Sequence, residues 1–543
     1  MPTLDFKGKQ HIYAHHLTVP YRPIKPDETR SAPPGPPPHP VSSDLGIDDN
    51  LIIHGDNLDA LKALLPRYAN RIKCIYIDPP YNTGNEGWVY NDNANSPLMQ
   101  QWLTENSPID NEDLERHDKW LCMMWPRLHL LKELLSDDGI IFISIDDNEQ
   151  HHLRMLMDEI FGEANFIAAF LWRKKGTSTN VRGTSVSATA DYQLCYRKSA
   201  MGSITPRVTP KETRRYPNQD DQGKYRMSII EKRNDGTYAR ETMRFQILGQ
   251  YPREGRRWQI GQETARELEA MNRFVIDNGI VKRKIYDFED RDTTSAHSTY
   301  LPDSCGSSDS ANKALTEILG SSGFENPKPV GLVAHLLALS SGPNDLILDS
   351  FAGSGTTAHA VLSLNKEDGG NRKFILIECE DYADTITAER VRRVINGVPN
   401  ARDESLREGL SGSFTYCTLG EPIELEGLLT GGTLPAYSTL AAHLLYTSTG
   451  VPIEQDTLTP KNGDGIFHSD PAIDYYMLYE PDLEYLRSNR AMLNPARAER
   501  IRDANRENGK KAIVYAAGKH ISQRELTAMG ITFCQLPTAL YQR

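Results

Sequence analysis

The chain is poor in cysteine, in long apolar runs and in positive charge. Its seven cysteines, at 74, 122, 195, 305, 379, 417 and 534, are scattered over 543 residues and include no CxxC pair. That excludes a disulfide scaffold and a cysteine-rich zinc site and fits a reducing, cytoplasmic setting. No run approaches the roughly 18 apolar residues that a membrane span needs, and the mean hydropathy is −0.53. The opening stretch, MPTLDFKGKQHIYAHH, lacks the apolar core of a signal peptide. Lys and Arg number 61 against 73 Asp and Glu, a net charge of −12, so the chain is not a basic tail of the kind that coats nucleic acid. It shows no repeat at solenoid periods. At about 100–200 residues per domain, its length suggests about three domains.

Against these absences stands an α/β pattern in two separated blocks. Residues 1–48 read as a polar, proline-rich tail or linker, because SAPPGPPPHPVSS at 31–43 favours extended polyproline II over a packed element. From Leu51 the chain reads strand (LIIHGD), helix (leucines at 58, 61, 64 and 65) and strand (Ile72 to Ile77). This βαβ unit calls for a parallel sheet covered on both faces. A polar stretch at 86–117 reads as a loop or insertion. KWLCMMWPRLHLLKELL, with Met123, Met124 and Trp125 in its core, reads as a helix leading into the strand GIIFISIDD. HHLRMLMDEIFG is a further helix, with His151 and His152 read as surface, and FIAAFLWRKK is a candidate strand. Gly176 to Ala190 reads as a mobile loop.

Residues 201–292 then change character, with 19 Lys and Arg against 15 Asp and Glu and interleaved aromatics such as Tyr216, Tyr225 and Trp258. A locally basic stretch in an acidic chain is a candidate polyanion surface, although an ordinary solvated face has the same composition. The α/β pattern returns after about 325, with a helix at KPVGLVAHLLALSS, the strand–turn–helix LILDSFAGSGTTAHAVLSL and the strand RKFILIECED. A second small α/β pattern fills 401–543.

Two motifs carry chemistry. In Asp349-Ser350-Phe351-Ala352-Gly353-Ser354-Gly355-Thr356-Thr357, glycines stand where an apolar strand turns into a helix. They let the backbone approach a ligand with the helix N-terminus behind it. Glu378, ending the next strand, is placed to hold a ribose hydroxyl pair, which suits an adenosine-containing cofactor. The absence of GK[ST] argues against a Walker-type triphosphate site.

The second motif is Asp78-Pro79-Pro80-Tyr81-Asn82-Thr83-Gly84. Two prolines cannot extend a sheet ladder, so the chain must leave the sheet there. Asp78 and Tyr81 are thereby exposed at the carboxyl edge of the strands, where open α/β sheets bind ligands. An exocyclic purine amine is a poor nucleophile because its lone pair is delocalised into the ring. The Asp78 carboxylate and the Pro79 carbonyl, accepting its two N–H bonds, would draw the nitrogen towards tetrahedral geometry, while Tyr81 stacks on the base.

DPPYNTG followed by DSFAGSGTT resembles the β class of S-adenosylmethionine-dependent DNA amino-methyltransferases, over about residues 51–400. Asp at the head of the first motif resembles the adenine-N6 members more than the cytosine-N4 members. KWLCMMWPRL, ISIDDNE, the long inter-motif segment and the C-terminal FCQLP resemble the modification subunit of type III restriction systems. The resemblance implies a circularly permuted Rossmann-like methyltransferase sheet. Its catalytic half would be 49–200 and its cofactor half 326–400, with an inserted target recognition domain at 201–325 and a small α/β module at 401–543.

The resemblance also implies S-adenosyl-L-methionine as cofactor and double-stranded DNA as partner, with a flipped-out adenine and no metal. It leaves open a restriction or helicase subunit and a homodimer. By the same resemblance Asp56 accepts the cofactor's adenine amine, alongside a role as helix N-cap. Phe351 packs on the cofactor, Asp349 lies near its amino group or orients the turn, and Lys328 of Asn326-Pro327-Lys328-Pro329 faces the methionine carboxylate. The family often has a His or another polar residue before the acidic–Tyr pair that stands here as Asp191-Tyr192; this chain has Ala190, which leaves Tyr192 to pack near the flipped base. The readings kept beside this one are a cytosine-N4 or RNA amino-methyltransferase, a dinucleotide oxidoreductase and a non-catalytic DNA-binding subunit.

Overall fold

A computed structural model of the chain describes residues 3–32, 50–84, 115–176, 185–235, 239–321, 323–423, 434–453, 458–461 and 463–536. The proline cluster and most of the polar 86–117 and 176–190 stretches lie outside the described residues. Two compact units are present, one of 1–204 with 298–543 and one of Thr205–His297.

The first unit is built on a nine-stranded sheet. Its strands are β1 (Ile24–Ala32), β2 (Leu51–His54), β3 (Ile72–Ile77), β4 (Leu135–Ile145), β5 (Phe166–Arg173), β6 (Ala190–Arg197), β7 (Leu346–Asp349), β8 (Lys373–Glu378) and β9 (Phe414–Leu419). Their order is β1-β9-β2-β8-β7-β3-β4-β6-β5. The run from β9 to β4 is parallel, while β6, β5 and β1 pair antiparallel. The two sequence blocks therefore interleave. Strand β7, from the second block, lies directly beside β3 from the first, with Ile347 opposite Cys74.

The unbroken apolar run of β3 follows from burial on both faces. Ile75 and Ile77 pack with helices Asn57–Tyr68 and Arg116–Leu134. Cys74 and Tyr76 pack with helices Val330–Ser340 and Thr356–Asp368. Each such aliphatic side chain contributes about 1.5–3 kcal/mol by burial, which fixes the strand's place and hence the place of the motif at its end. The chain stops pairing at Ile77, and Pro79 and Pro80 follow without a backbone donor.

Three expectations need correction. Residues 3–32 are not a tail. Their Ile24–Ala32 strand closes one edge of the sheet against β9, Trp125 Nε1 donates to Tyr13 O at 3.1 Å, and Lys62 Nζ donates to His16 O at 3.0 Å. Pro26 is tolerated because β1 is an edge strand. The basic unit ends at His297, not 325. Helix Ser308–Leu319, capped by a Ser307–Ser310 box, buries Leu315 and Ile318 in the first unit. Finally, β9 at Phe414–Leu419 joins the large sheet although it falls within 401–543. The remaining described C-terminal residues form a four-stranded sheet of Ile466–Ser469, Ile473–Leu478, Lys511–Ala516 and Ile531–Gln535, with the last three parallel.

The Thr205–His297 unit carries an antiparallel sheet in the order Phe274–Asp277, Ile280–Tyr286, Gly223–Ile229 and Asn218–Asp220. Its small core is made of Ile230, Phe245, Ile247, Trp258, Ala265, Phe274 and Val281.

Candidate active site

The site forms where β7 and β3 lie side by side, at their carboxyl ends. At the end of β7, Asp349 is buried. Its Oδ1 accepts from the Phe351 N–H at 3.0 Å and its Oδ2 from the Thr357 hydroxyl at 2.5 Å. Burial pushes its carboxyl up to about 7, with these two donors opposing and Asp78 and Glu378 adding to the rise. Asp349 thus orients the turn, one of the two roles expected of it.

Glu378 is also committed to the turn. Its Oε2 accepts from Gly353 N at 2.7 Å, and its Oε1 from Cys379 N and Glu380 N at 3.0 and 3.1 Å. Burial raises its carboxyl, and those backbone donors lower it. A ribose contact has to share these oxygens. Ala352 N donates to Ile377 O at 3.0 Å. Ser354 and Thr356 turn inward, where Arg390 donates to their hydroxyls at 2.9 and 2.8 Å. Arg390 is buried, which lowers its guanidinium to about 9, and it remains a cation at neutral pH.

The two glycines have different reasons. Gly353 has φ +51° and Gly355 φ +76°, both in the left-handed region, which costs a residue with a side chain about 1–2 kcal/mol. A Cβ on Gly353 would stand 3.1 Å from the tip of the Phe324 ring, which can move. A Cβ on Gly355 would stand 3.0 Å from the Thr387 carbonyl oxygen, which is backbone. Gly355→Val is therefore expected to lower the thermal midpoint by several degrees more than Gly353→Val. If the turn holds the S-adenosylmethionine that the resemblance implies, Gly353→Val weakens its binding at least about tenfold in calorimetric titration, given a loss of 1.4 kcal/mol or more. Normal affinity in Gly353→Val would remove the turn from the cofactor site.

Asp56 caps helix Asn57–Tyr68, its Oδ1 accepting from Leu58 N at 2.8 Å and Asp59 N at 3.3 Å. Such a cap is worth about 1 kcal/mol. Its Oδ2 faces Arg127 Nη2 at 3.4 Å, and the side chain is 37% exposed, so a ligand can reach it. Phe351 is only partly buried against the core.

At the end of β3, the Trp120 indole N–H donates to Pro80 O at 2.7 Å. Asn82, buried with φ +58°, donates to Glu149 Oε1 at 2.5 Å and to Arg116 O at 3.2 Å. These bonds set the turn that presents Asp78 and Tyr81. Asp78 Oδ2 accepts from Lys328 Nζ, and its Oδ1 is buried without a hydrogen bond. The Tyr81 hydroxyl is pushed well up by burial first and then by the Asp78 and Asp191 carboxylates, so it stays neutral. Lys328 also binds the two motifs together, since its carbonyl accepts from the Thr356 hydroxyl at 3.2 Å. Its ammonium is on Asp78.

Residues 271 positions apart in the chain, Asp78 and Asp349, thus end neighbouring strands and feel each other's charge. Against this geometry, the family described as DNA methylase matches residues 72–389, more than half of the chain. The chain belongs to the DNA methylase family. Among curated proteins it is similar to the type III restriction-modification enzyme StyLTI Mod subunit of Salmonella typhimurium. The two are 35% identical over 379 residues, 64% of this chain and 57% of the relative. The EcoPI Mod subunit of Escherichia phage P1 is 31% identical over 453 residues, 71% of this chain and 68% of the relative. The type II methyltransferase M.KpnI of Klebsiella pneumoniae is 35% identical over 367 residues, 62% of this chain and 82% of the relative. The chain thus spans little more than half the length of the StyLTI relative.

The site holds residues that sequence reasoning missed. Asp191 on β6 is buried and paired with Lys174 at 2.6 Å. Burial raises its carboxyl, Lys174 and Lys328 lower it, and Asp78 raises it. Asp191, rather than Tyr192, therefore belongs to the Asp78–Lys328 charge cluster. The signal available was an acid inside the otherwise apolar strand ADYQLCY. Behind the DPPY turn, His151 is exposed as read, while His152 is partly buried and has a partner. Glu149 is fully buried and accepts from His117 Nδ1 at 2.5 Å and His152 Nδ1 at 2.7 Å, besides Asn82. The three offer ligand atoms within 4.8 Å of one another, and the Nδ1 of each histidine is engaged with the carboxylate. The cluster braces the turn from below. No helix among the described residues is long and apolar enough to cross a membrane.

Proposed function

We propose that this methylase transfers a methyl group from S-adenosylmethionine to N6 of a flipped-out adenine, at one short sequence in double-stranded DNA, as the modification component of a restriction-modification system. The observation that carries the reading is the placement of Asp78 and Tyr81 beside the Asp349–Gly355 turn, on the carboxyl edge of adjacent parallel strands. Relatives named as Mod subunits support the restriction-modification setting and imply a restriction subunit as partner.

The residues present fit the cofactor. The turn runs through two positive-φ glycines into a helix N-terminus, Ser350 Oγ is buried without a hydrogen bond, and Asp56 and Phe351 keep accessible surface. Asp56, Phe351 and the Gly353 backbone would hold it, while Asp349, Glu378, Ser354 and Thr356 shape the turn. When bound, S-adenosylmethionine supplies an electrophilic methyl group on a sulfonium. The N6 of adenine lies in the Watson–Crick face, so the base must leave the duplex. The Tyr81 ring then fixes its plane. Asp78 and the Pro79 carbonyl accept the two N–H bonds and return the lone pair to nitrogen, an interaction that strengthens as charge develops. The displacement needs no covalent enzyme intermediate.

In this reading the Thr205–His297 unit selects the sequence. Several of its cations are engaged internally. Arg214 and Arg226 pair with Asp290 at 2.5 and 2.7 Å, Arg253 with Glu231 at 2.7 Å and Lys284 with Asp220 at 2.8 Å. Arg257 is itself buried, so reversing the Arg256–Arg257 charges would disturb the unit's fold. Lys232 and Arg233, exposed on the strand Glu231–Arg233, are the better pair to change. Lys232→Glu with Arg233→Glu is expected to weaken DNA binding and reduce the slope of log affinity against log salt by about 1–2, with cofactor affinity unchanged. An unaltered slope would take this strand out of the DNA surface. The whole reading is tested by methylation-sensitive sequencing of DNA from cells expressing the chain, which should report one motif modified at one adenine.

A further inference from the structure

The place of Lys328 reaches beyond cofactor binding. Its ammonium is hydrogen-bonded to Asp78 Oδ2 and lies 4.9 Å from the centroid of the Tyr81 ring. The Lys328 side chain is 10% exposed and that of Asp78 23%. Donation to the Asp78 carboxylate and packing on the Tyr81 ring are the two contacts that an acceptor amine has to make. In this structure a lysine makes both.

We infer that Lys328 is a positioning residue that holds the acceptor-amine place on Asp78 until a base arrives, and that the incoming amine displaces it. The inference rests on the reading of Asp78 and Tyr81 as the acceptor site. A largely buried carboxylate is costly to leave without a donor. Lys328 meets that need before a base is bound, and the N6–H bonds meet it afterwards. Displacement does not require the ammonium to leave the cluster. Asp191, buried 17 residues along the chain from its partner Lys174, already feels the Lys328 charge and offers a second carboxylate. The backbone of Lys328 stays fixed throughout by Thr356. A base lacking the exocyclic amine has no donor to exchange and leaves the cation on Asp78, so only the amine-bearing base competes with Lys328.

The test compares two duplex oligonucleotides bearing the methylated motif, one with adenine at the target and one with purine, which lacks the 6-amino group. Affinities are measured by fluorescence anisotropy for the full-length wild type, Lys328→Met and Lys328→Arg. Without the lysine, the amine becomes the sole donor to Asp78. The adenine-over-purine preference is therefore expected to rise about fivefold in Lys328→Met, the scale of a partly exposed ion pair. It is expected to fall below the wild-type value in Lys328→Arg, whose guanidinium grips a carboxylate through two bonds. A purely structural role would change both affinities together and leave the preference alone. An unchanged preference in the two variants, or a shift of the same sign in both, overturns the inference. A wild-type protein that leaves the adenine oligonucleotide unmethylated instead overturns the reading on which it rests.

Discussion

Asp78→Ala is expected to lower the rate of methyl transfer by about 10³-fold or more while changing DNA and cofactor affinity by less than about tenfold. An acceptor aimed at charge that develops in the transition state is worth roughly 10²–10³ in rate, and here the same carboxylate also prepares the lone pair. The side chain is not a strut of the fold. The turn that carries it is held by the Trp120 N–H on Pro80 O and by Asn82 on Glu149, so the protein should keep its thermal midpoint. Asp78→Asn should also fail, because the amide keeps the shape but loses both the charge and one acceptor. Single-turnover methylation measures the effect directly. Retention of a tenth of the wild-type rate in Asp78→Ala would remove this carboxylate from the chemistry.

Tyr81 should separate by its ring and not by its hydroxyl. Stacking of a base on an aromatic side chain is worth about 1–3 kcal/mol, so Tyr81→Ala is expected to reduce kcat/KM by roughly 10- to 100-fold. Burial holds the phenol neutral, which deprives it of any role as a proton acceptor near neutral pH. Tyr81→Phe is therefore expected to stay within about threefold of wild type, and Tyr81→Trp to keep part of the activity. Equal losses in Ala and Phe would assign the effect to the hydroxyl and refute the stacking account.

The parts of this architecture legible in the sequence were those where one residue type answers one constraint. The run from Ile72 to Ile77 announced a strand covered on both faces, and the two prolines marked where it had to end. DSFAGSGTT announced a turn from strand to helix, and Gly353 and Gly355 take it through positive φ. What stayed hidden depended on partners distant in sequence. Ile24–Ala32 reads as polar because an edge strand has one pairing side and little burial, so its alternation is weak. Phe414–Leu419 could not be assigned to the large sheet without knowing that β2 offered it a free edge. Asp191 and Lys174 pair across adjacent strands, His117 and His152 meet on Glu149 from separate helices, and Arg390 reaches back to a turn more than thirty residues earlier. Periodicity places elements, but it does not say which charges will share a pocket. Lys328 shows this most clearly: its motif placed it at the cofactor, and only the juxtaposition of β7 with β3 puts its ammonium on Asp78.

The measurement that bears most directly on the proposed activity is the identity of the product. Purified protein is incubated with S-adenosylmethionine carrying an isotopically labelled methyl group and with duplex DNA containing the sequenced motif, and the DNA is digested to nucleosides for mass spectrometry. The account predicts labelled N6-methyladenine, abolished by Asp78→Ala. Label in N4-methylcytosine, or no labelled nucleoside from a folded protein that binds both DNA and cofactor, would contradict it.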